Sequence, residues 1–261
     1  MILLTMIACV TTMVDRFTVD RIVREGMMVP DVGEACSLGE SFSHVLMATR
    51  SKNSVPELAM VIADTTSAMC VEQKLWEAEL RGLRGEYQLR NGEQGWMTEV
   101  KDARIQSQRL HTASAARFYD AFVHTEAVFG PVGDACPTIK EKDEVVYLVG
   151  LVAGMLAVLH DRAGGSSVGV PLDVLPRVAR SAVCLDNDKW WQVPNALQAG
   201  VWASVPGSGP EDADPWALVQ EAAEKGGASG VRVAFGLLSL LAANSGQEEI
   251  LLNSIVAHGK S

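Results

Sequence analysis

Histidines, acidic pairs and glycine-rich turns are the features of this sequence that would carry catalytic or metal chemistry. None of the five histidines lies in an HExxH motif. His124 and Glu126 are two residues apart, so on a helix their side chains diverge. Residues 164–167 have the composition of a phosphate-binding loop, but they follow a predicted helix and lack the GxxxxGK pattern. These features predict no catalytic residue, no metal site and no cofactor. If the protein is nevertheless an enzyme, the alternative is a hydrolase whose catalytic residues are dispersed along the sequence.

The tryptophans are more informative than the histidines. Trp191 and Trp202 lie in a predicted helix over 189–204, and their spacing of about three turns places them on one face. Asn195 follows Trp191 by one turn on the same helix. One interpretation is that these side chains pack in the core. The other is that Tyr147, Trp191 and Trp202 line an apolar ligand cavity, in which Asn195 orients the ligand.

Helical periodicity dominates the chain and strand-like alternation is rare, so the sequence predicts an all-α fold. Asp214-Pro215 is the clearest start signal, because it places a capping residue before a proline in the first turn. Helices of about three to five turns joined by short loops are typical of an α-solenoid, here with antiparallel helix pairs and degenerate tetratricopeptide-type repeats. The predicted helices fall at 14–24, within 37–53, and at 54–69, 72–90, 101–129, 141–161, 171–185, 189–204, 214–225, 228–243 and 246–258.

Charge and hydropathy restrict the partners. The net charge is −10 with no basic cluster, which excludes nucleic acid because phosphate binding needs a positive face. The uncharged, strongly apolar run Val145–Leu159 spans about 22 Å as a helix, short of a hydrocarbon core of about 30 Å. We interpret this run as a central helix surrounded by other helices.

The N-terminus suggests a membrane anchor. Cys9 follows the apolar stretch Ile2–Ala8, which resembles the end of a lipoprotein signal peptide, although no positive residue precedes the stretch. The alternative is an ordinary cysteine in a disordered or helical N-terminus.

Of the other four cysteines, none forms a CxxC pair, and the sequence leaves their disulfide state open. The predicted organisation is a signal remnant over 1–9, a helical segment over 10–53 and a helical-repeat domain over 54–261.

Seven segments, taken in order, resemble the TatT family, the tetratricopeptide-type lipoproteins associated with TRAP transporters. The nearest match is Leu175–Asp186, which has the family's Leu-Pro segment and a helix ending in a Leu-Asp turn, although Asn187 stands where the family usually has proline. The other segments are Ser54–Leu58, Arg109–Ala113, Arg117–Ala121, Val146–Leu151, Ala199–Pro206 and Pro215–Glu224.

This resemblance implies a function that the residues alone do not. It implies a periplasmic, lipid-anchored homotrimer that meets a TRAP-type solute-binding protein and holds a hydrophobic or amphipathic small molecule in an internal cavity. It implies no enzymatic activity, and contact with the membrane only through the N-terminal lipid. The alternative is a ligand-free helical-repeat scaffold for protein–protein interactions in the envelope.

Overall fold

The computed structural model describes residues 31–48 and 56–260. This part of the chain consists of helices and loops without strands, so the predicted all-α class is confirmed. Short 3₁₀ turns at Gln94–Trp96 and Glu141–Asp143 precede two of the helices. The α-helices are α1 (Val32–Ala48), α2 (Glu57–Arg90), α3 (Met97–Phe129), α4 (Glu144–Ala163), α5 (Val174–Ala182), α6 (Val193–Ser204), α7 (Pro215–Ala228), α8 (Val233–Asn244) and α9 (Glu248–Lys260).

Residue contacts divide the chain into two compact units. Of the described residues, the first unit comprises those up to residue 128 together with 156–171, and the second comprises 129–155 together with those from residue 172 onward. Helix α4 contributes its last turns to the first unit and its earlier turns to the second. The predicted boundary near residue 53 lies outside the described residues and stays a prediction.

In the first unit, α1 lies antiparallel on the first half of α2. A disulfide joins Cys36 to Cys70 across this pair. Gly39 brings the two backbones together, since a Cβ there would lie 2.9 Å from the amide nitrogen of Ser67. Beyond this contact, Leu46 packs into a small cluster with residues of the first turns of α2.

Helix α2 is one continuous helix, so the predicted break near residue 70 is wrong. The segment from Met69 to Glu72 contains neither proline nor glycine, and nothing in it interrupts the backbone hydrogen bonds of a helix. Helix α3 returns antiparallel along α2. Gly82 and Gly85 lie at this contact, and a Cβ at Gly85 would come within 2.7 Å of the Val100 side chain.

Helix α4 is the most apolar long helix of the described chain. By length and composition alone, Glu141–Ala163 is long and apolar enough to cross a membrane, but 72% of its most apolar window is buried inside the protein. Burial by protein atoms is typical of the core helix of a globular fold.

The second unit is built from neighbouring helices. Helices α5 to α9 pack on their sequence neighbours, and α8 also contacts α6. At that crossing, a Cβ added to Gly200 would lie 2.7 Å from Leu241, so the close approach depends on glycine. Helix α7 begins as predicted, because the Asp214 carboxylate accepts hydrogen bonds from the backbone N–H groups of Trp216 and Ala217.

Candidate functional site

A shallow groove between α6 and α7 in the second unit has the composition of a small-molecule site. Its volume is about 200 Å³. Trp202 and Leu218 form an apolar part of the wall, while amides and charged groups supply the rest. The lining residues are Gln192, Asn195, Gln198, Ala199, Trp202, Leu218, Glu221, Ala222 and Lys225.

Two of the four residues predicted to line a ligand cavity meet in this groove, namely Asn195 and Trp202. Tyr147 is fully buried elsewhere in the same unit, where its ring lies 5.1 Å from that of Phe129 in an edge-on arrangement. Trp191 is 38% exposed and does not belong to the lining. The groove is also more polar than the apolar cavity that the sequence predicts.

The predicted alignment of Trp191 with Trp202 on one helical face is wrong, because α6 begins only at Val193. Trp191 and Gln192 both have left-handed backbone conformations, with φ of 51° and 63°. Such conformations interrupt a helix, so Trp191 does not lie three helical turns before Trp202 on one face. Gly226 of α7 permits this turn, since a Cβ there would lie 2.6 Å from the carbonyl oxygen of Trp191.

A short chain of hydrogen bonds orients the amides of the groove. The side-chain nitrogen of Asn195 donates to the side-chain oxygen Oε1 of Gln192 at 2.8 Å, and the side-chain nitrogen of Gln192 donates to the Asp188 carboxylate at 2.8 Å. The backbone N–H of Asn195 is bound by the side-chain oxygen of Asn187. Asn187, the departure from the resembled family, therefore holds the first turn of α6.

An ion pair closes one side of the groove. Lys225 and Glu221 lie one helical turn apart on α7, with 2.6 Å between nitrogen and oxygen. The hydrogen bond and the charge of Glu221 raise the pKa of Lys225. Both side chains are more than half exposed, so their charges remain accessible to a polar ligand.

The first unit contains a buried hydrogen-bonded network that sequence reasoning missed. His160 Nε2 lies 2.8 Å from Glu72 Oε1, and the Nδ1 atoms of His160 and His111 are 2.9 Å apart. His111 Nε2 then lies 3.1 Å from Glu79 Oε1. Glu72 and His160 are almost completely buried, and the Phe118 ring stacks on His160.

Proton counting restricts the charge of this Glu72–His160–His111–Glu79 network. Its three hydrogen bonds need three protons, whereas two neutral imidazoles supply two. With both carboxylates ionised, one imidazole is therefore an imidazolium, and the network carries a charge of −1. In the part of the chain that the structure describes, no group of three or more His, Cys, Asp or Glu side chains is arranged to hold a metal ion.

Asp64 is the centre of a second buried polar cluster in the first unit. The Ser43 hydroxyl donates to one carboxylate oxygen at 2.5 Å, and His124 Nε2 lies 3.5 Å from the other. Serine is thus bound to the carboxylate, whereas a serine nucleophile needs a hydrogen bond to the imidazole. Burial raises the pKa of Asp64, against the lowering effects of the Ser43 hydrogen bond and the His124 charge.

We expect Asp64→Asn to change the pH dependence of stability. Because its pKa is raised in the fold, Asp64 stabilises the folded state below its unfolded pKa of about 3.9, and this contribution is lost as pH rises through the folded pKa. The variant should therefore gain stability relative to the wild type as pH increases above about 4. Urea unfolding at several pH values measures this difference, with the exposed Asp102→Asn as control. A pH-independent difference for Asp64→Asn would contradict the expectation.

Residues 165–169 read Gly-Ser-Ser-Val-Gly and so satisfy the GxSxG pattern of many hydrolase nucleophiles. In those enzymes the serine follows a strand, whereas this segment follows α4. The Ser167 hydroxyl lies 2.9 Å from that of Thr112. The Asp161 carboxylate accepts hydrogen bonds from the backbone N–H groups of residues 168 to 170. The segment is a loop held by Asp161, as its position after a predicted helix indicated.

The four cysteines beyond Cys9 form two disulfides. In addition to Cys36–Cys70, Cys136 is joined to Cys184 in the second unit. Cys9, the predicted lipid attachment site, lies outside the described residues.

Comparison of the chain with protein-family models, with curated proteins and with solved structures finds no match.

Proposed function

We propose that this protein is a binding component of the bacterial envelope that holds a small amphipathic molecule in the groove between α6 and α7. The observation that carries the proposal is the lining of the groove. Trp202 and Leu218 offer apolar contact on one side, and the amides of Gln192, Asn195 and Gln198 offer hydrogen bonds on the other. A few convergent polar groups beside an aromatic wall are typical of small-molecule sites.

The size of the groove restricts the ligand. Its volume of about 200 Å³ is below the roughly 300–1,000 Å³ of pockets for drug-sized molecules. The ligand is therefore small, and its polar end faces the amides and the Glu221–Lys225 pair. A long hydrophobic chain would leave these groups without partners at a cost of about 1–3 kcal/mol for each one that it buries.

The disulfides support a location in the periplasm. Disulfides persist in oxidising compartments and are rare in the cytosol of most organisms. The sequence has five cysteines, of which four are paired, so Cys9 remains for lipid attachment. This assignment agrees with a lipid-anchored protein.

The resemblance to the TatT family supports the identity of the partner. We propose a TRAP-type solute-binding protein, which exchanges the small molecule with this chain. The net charge of −10 favours a partner with a basic docking face, and association should slow as salt concentration rises. The homotrimer that the family also implies stays a prediction of the resemblance and is not part of this proposal.

The groove can be tested with 8-anilinonaphthalene-1-sulfonate, an amphipathic fluorescent anion. We expect Trp202→Ala and Asn195→Ala each to weaken its binding about tenfold, because they remove the aromatic wall and an orienting amide. Tryptophan quenching and dye fluorescence measure the dissociation constant, and far-UV circular dichroism reports the fold.

Trp191→Ala is the matched control, because it removes an exposed tryptophan of the same unit that lies outside the lining. It should bind the dye like the wild type. If all three variants bind like the wild type, or all lose binding equally, the groove is not the site. The ligand-free scaffold would then be the better account.

A further inference from the structure

Helix α2 presents an apolar stripe to solvent along its second half. Trp76, Leu80, Leu83 and Tyr87 are each between 48% and 60% exposed. Their spacing of four, three and four residues follows the heptad pattern of a coiled-coil seam. We name these four residues the α2 stripe. It lies opposite the side of α2 that contacts α3 through Gly82 and Gly85.

The order of residues in the α2 stripe is nearly palindromic. Two leucines form its centre, and an aromatic residue stands at each end. A second copy laid antiparallel about a point between residues 81 and 82 would place Trp76 against Tyr87 and Leu80 against Leu83, twice each. Because the order of aromatic residues and leucines is the same from either end of the stripe, the surface is complementary to a second copy of itself. Self-complementarity is the requirement for a two-fold interface.

Charges beside the α2 stripe fit the same arrangement. On one flank Glu77 and Arg84 are both exposed. The antiparallel alignment brings Glu77 of one copy next to Arg84 of the other, and this attraction occurs twice. On the other flank Glu79 and Glu86 are bound to residues of α3, namely His111 and Arg104, which reduces their mutual repulsion.

We propose that the α2 stripe is the seam of a two-fold homodimer in which two copies of α2 pack antiparallel. The stripe is only about 16 Å long from Trp76 to Tyr87, so the association is weak and occurs at micromolar concentration. The proposal does not depend on the ligand groove. It differs from the trimer that the family resemblance implies.

Sedimentation equilibrium over a range of concentrations tests the seam. The wild type should show a reversible monomer–dimer equilibrium. Leu83→Glu should weaken it at least about thirtyfold, because each dimer then buries two charged groups at its centre. Ile105→Glu is the matched control, since Ile105 is a half-exposed apolar residue of α3 outside the stripe. It should leave dimerisation unchanged, and melting curves should show both variants folded.

A charge exchange tests the antiparallel register. Glu77→Arg and Arg84→Glu should each weaken self-association about tenfold, because each places like charges together at two positions. A mixture of the two variants should form a heterodimer at wild-type strength, since the opposite charges meet again. A wild-type monomer at all concentrations, a trimer, or a mixture no stronger than its components would overturn the proposal.

Discussion

Replacing His160 by leucine is expected to lower the free energy of unfolding by about 3–5 kcal/mol. The substitution removes the hydrogen-bond donor that faces the Glu72 carboxylate, which is about 7% exposed. A buried carboxylate without a partner costs much more than the net stabilisation that the intact pair supplies. Urea denaturation at pH 7 gives the loss, with circular dichroism to confirm the helical fold.

The double variant Glu72→Met/His160→Leu separates this cause from simple loss of packing. Removing both polar groups leaves no buried charge, so the double variant should be more stable than His160→Leu alone. An additive loss would mean that the two side chains do not interact. The His44→Leu change, at an exposed histidine of α1, should have a small effect and serves as a comparison for histidine loss.

Removing the Cys136–Cys184 disulfide, by changing both cysteines to serine, should cost about 2–4 kcal/mol. The bond closes a loop of 48 residues, and its removal restores conformational freedom to the unfolded chain. The loop before α4 should remain partly held, because Gly133 donates to Ser181 and Arg177 donates to the Val132 carbonyl. Thermal and chemical denaturation measure the loss.

Thiol counting is the independent check on both disulfides. Five cysteines minus four paired ones leave Cys9, so the denatured, unreduced full chain, produced without lipid attachment, should react with a single equivalent of a thiol reagent. That equivalent should disappear on Cys9→Ser. Three or five reactive thiols would contradict at least one disulfide.

Local signals in the sequence predicted the helices well, but they did not predict the contacts between distant residues. Asp214-Pro215 identified the start of α7 because capping depends only on neighbouring residues. The turn at Trp191 was missed, since left-handed conformations in residues other than glycine have no strong sequence signature. It depends on the space that Gly226 provides from another helix.

The Glu72–His160–His111–Glu79 network also depends on contacts between residues that are distant in the sequence. His111 and His160 are 49 residues apart, and each looks like an isolated histidine on its own helix. Only the packing of α4 on α2 and α3 brings them together. The cysteines are similar, because four of them allow three pairings and spacing does not select one. In the groove, Asn195 and Trp202 were predicted from their spacing to Trp191, which does not belong to α6. They meet in the groove because they lie seven residues, about two turns, apart within α6, while the contribution of α7 had no local signal.

Native mass spectrometry of the protein purified from its own envelope, without denaturation, tests the central claim most directly. The account predicts that a fraction of the wild-type protein carries one small molecule, which is released on denaturation. The Asn195→Ala/Trp202→Ala variant, purified in the same way and equally folded, should carry none, whereas Trp191→Ala should retain it. Wild-type protein found entirely without a small molecule, or a molecule retained equally by the double variant, would contradict ligand binding in the groove between α6 and α7.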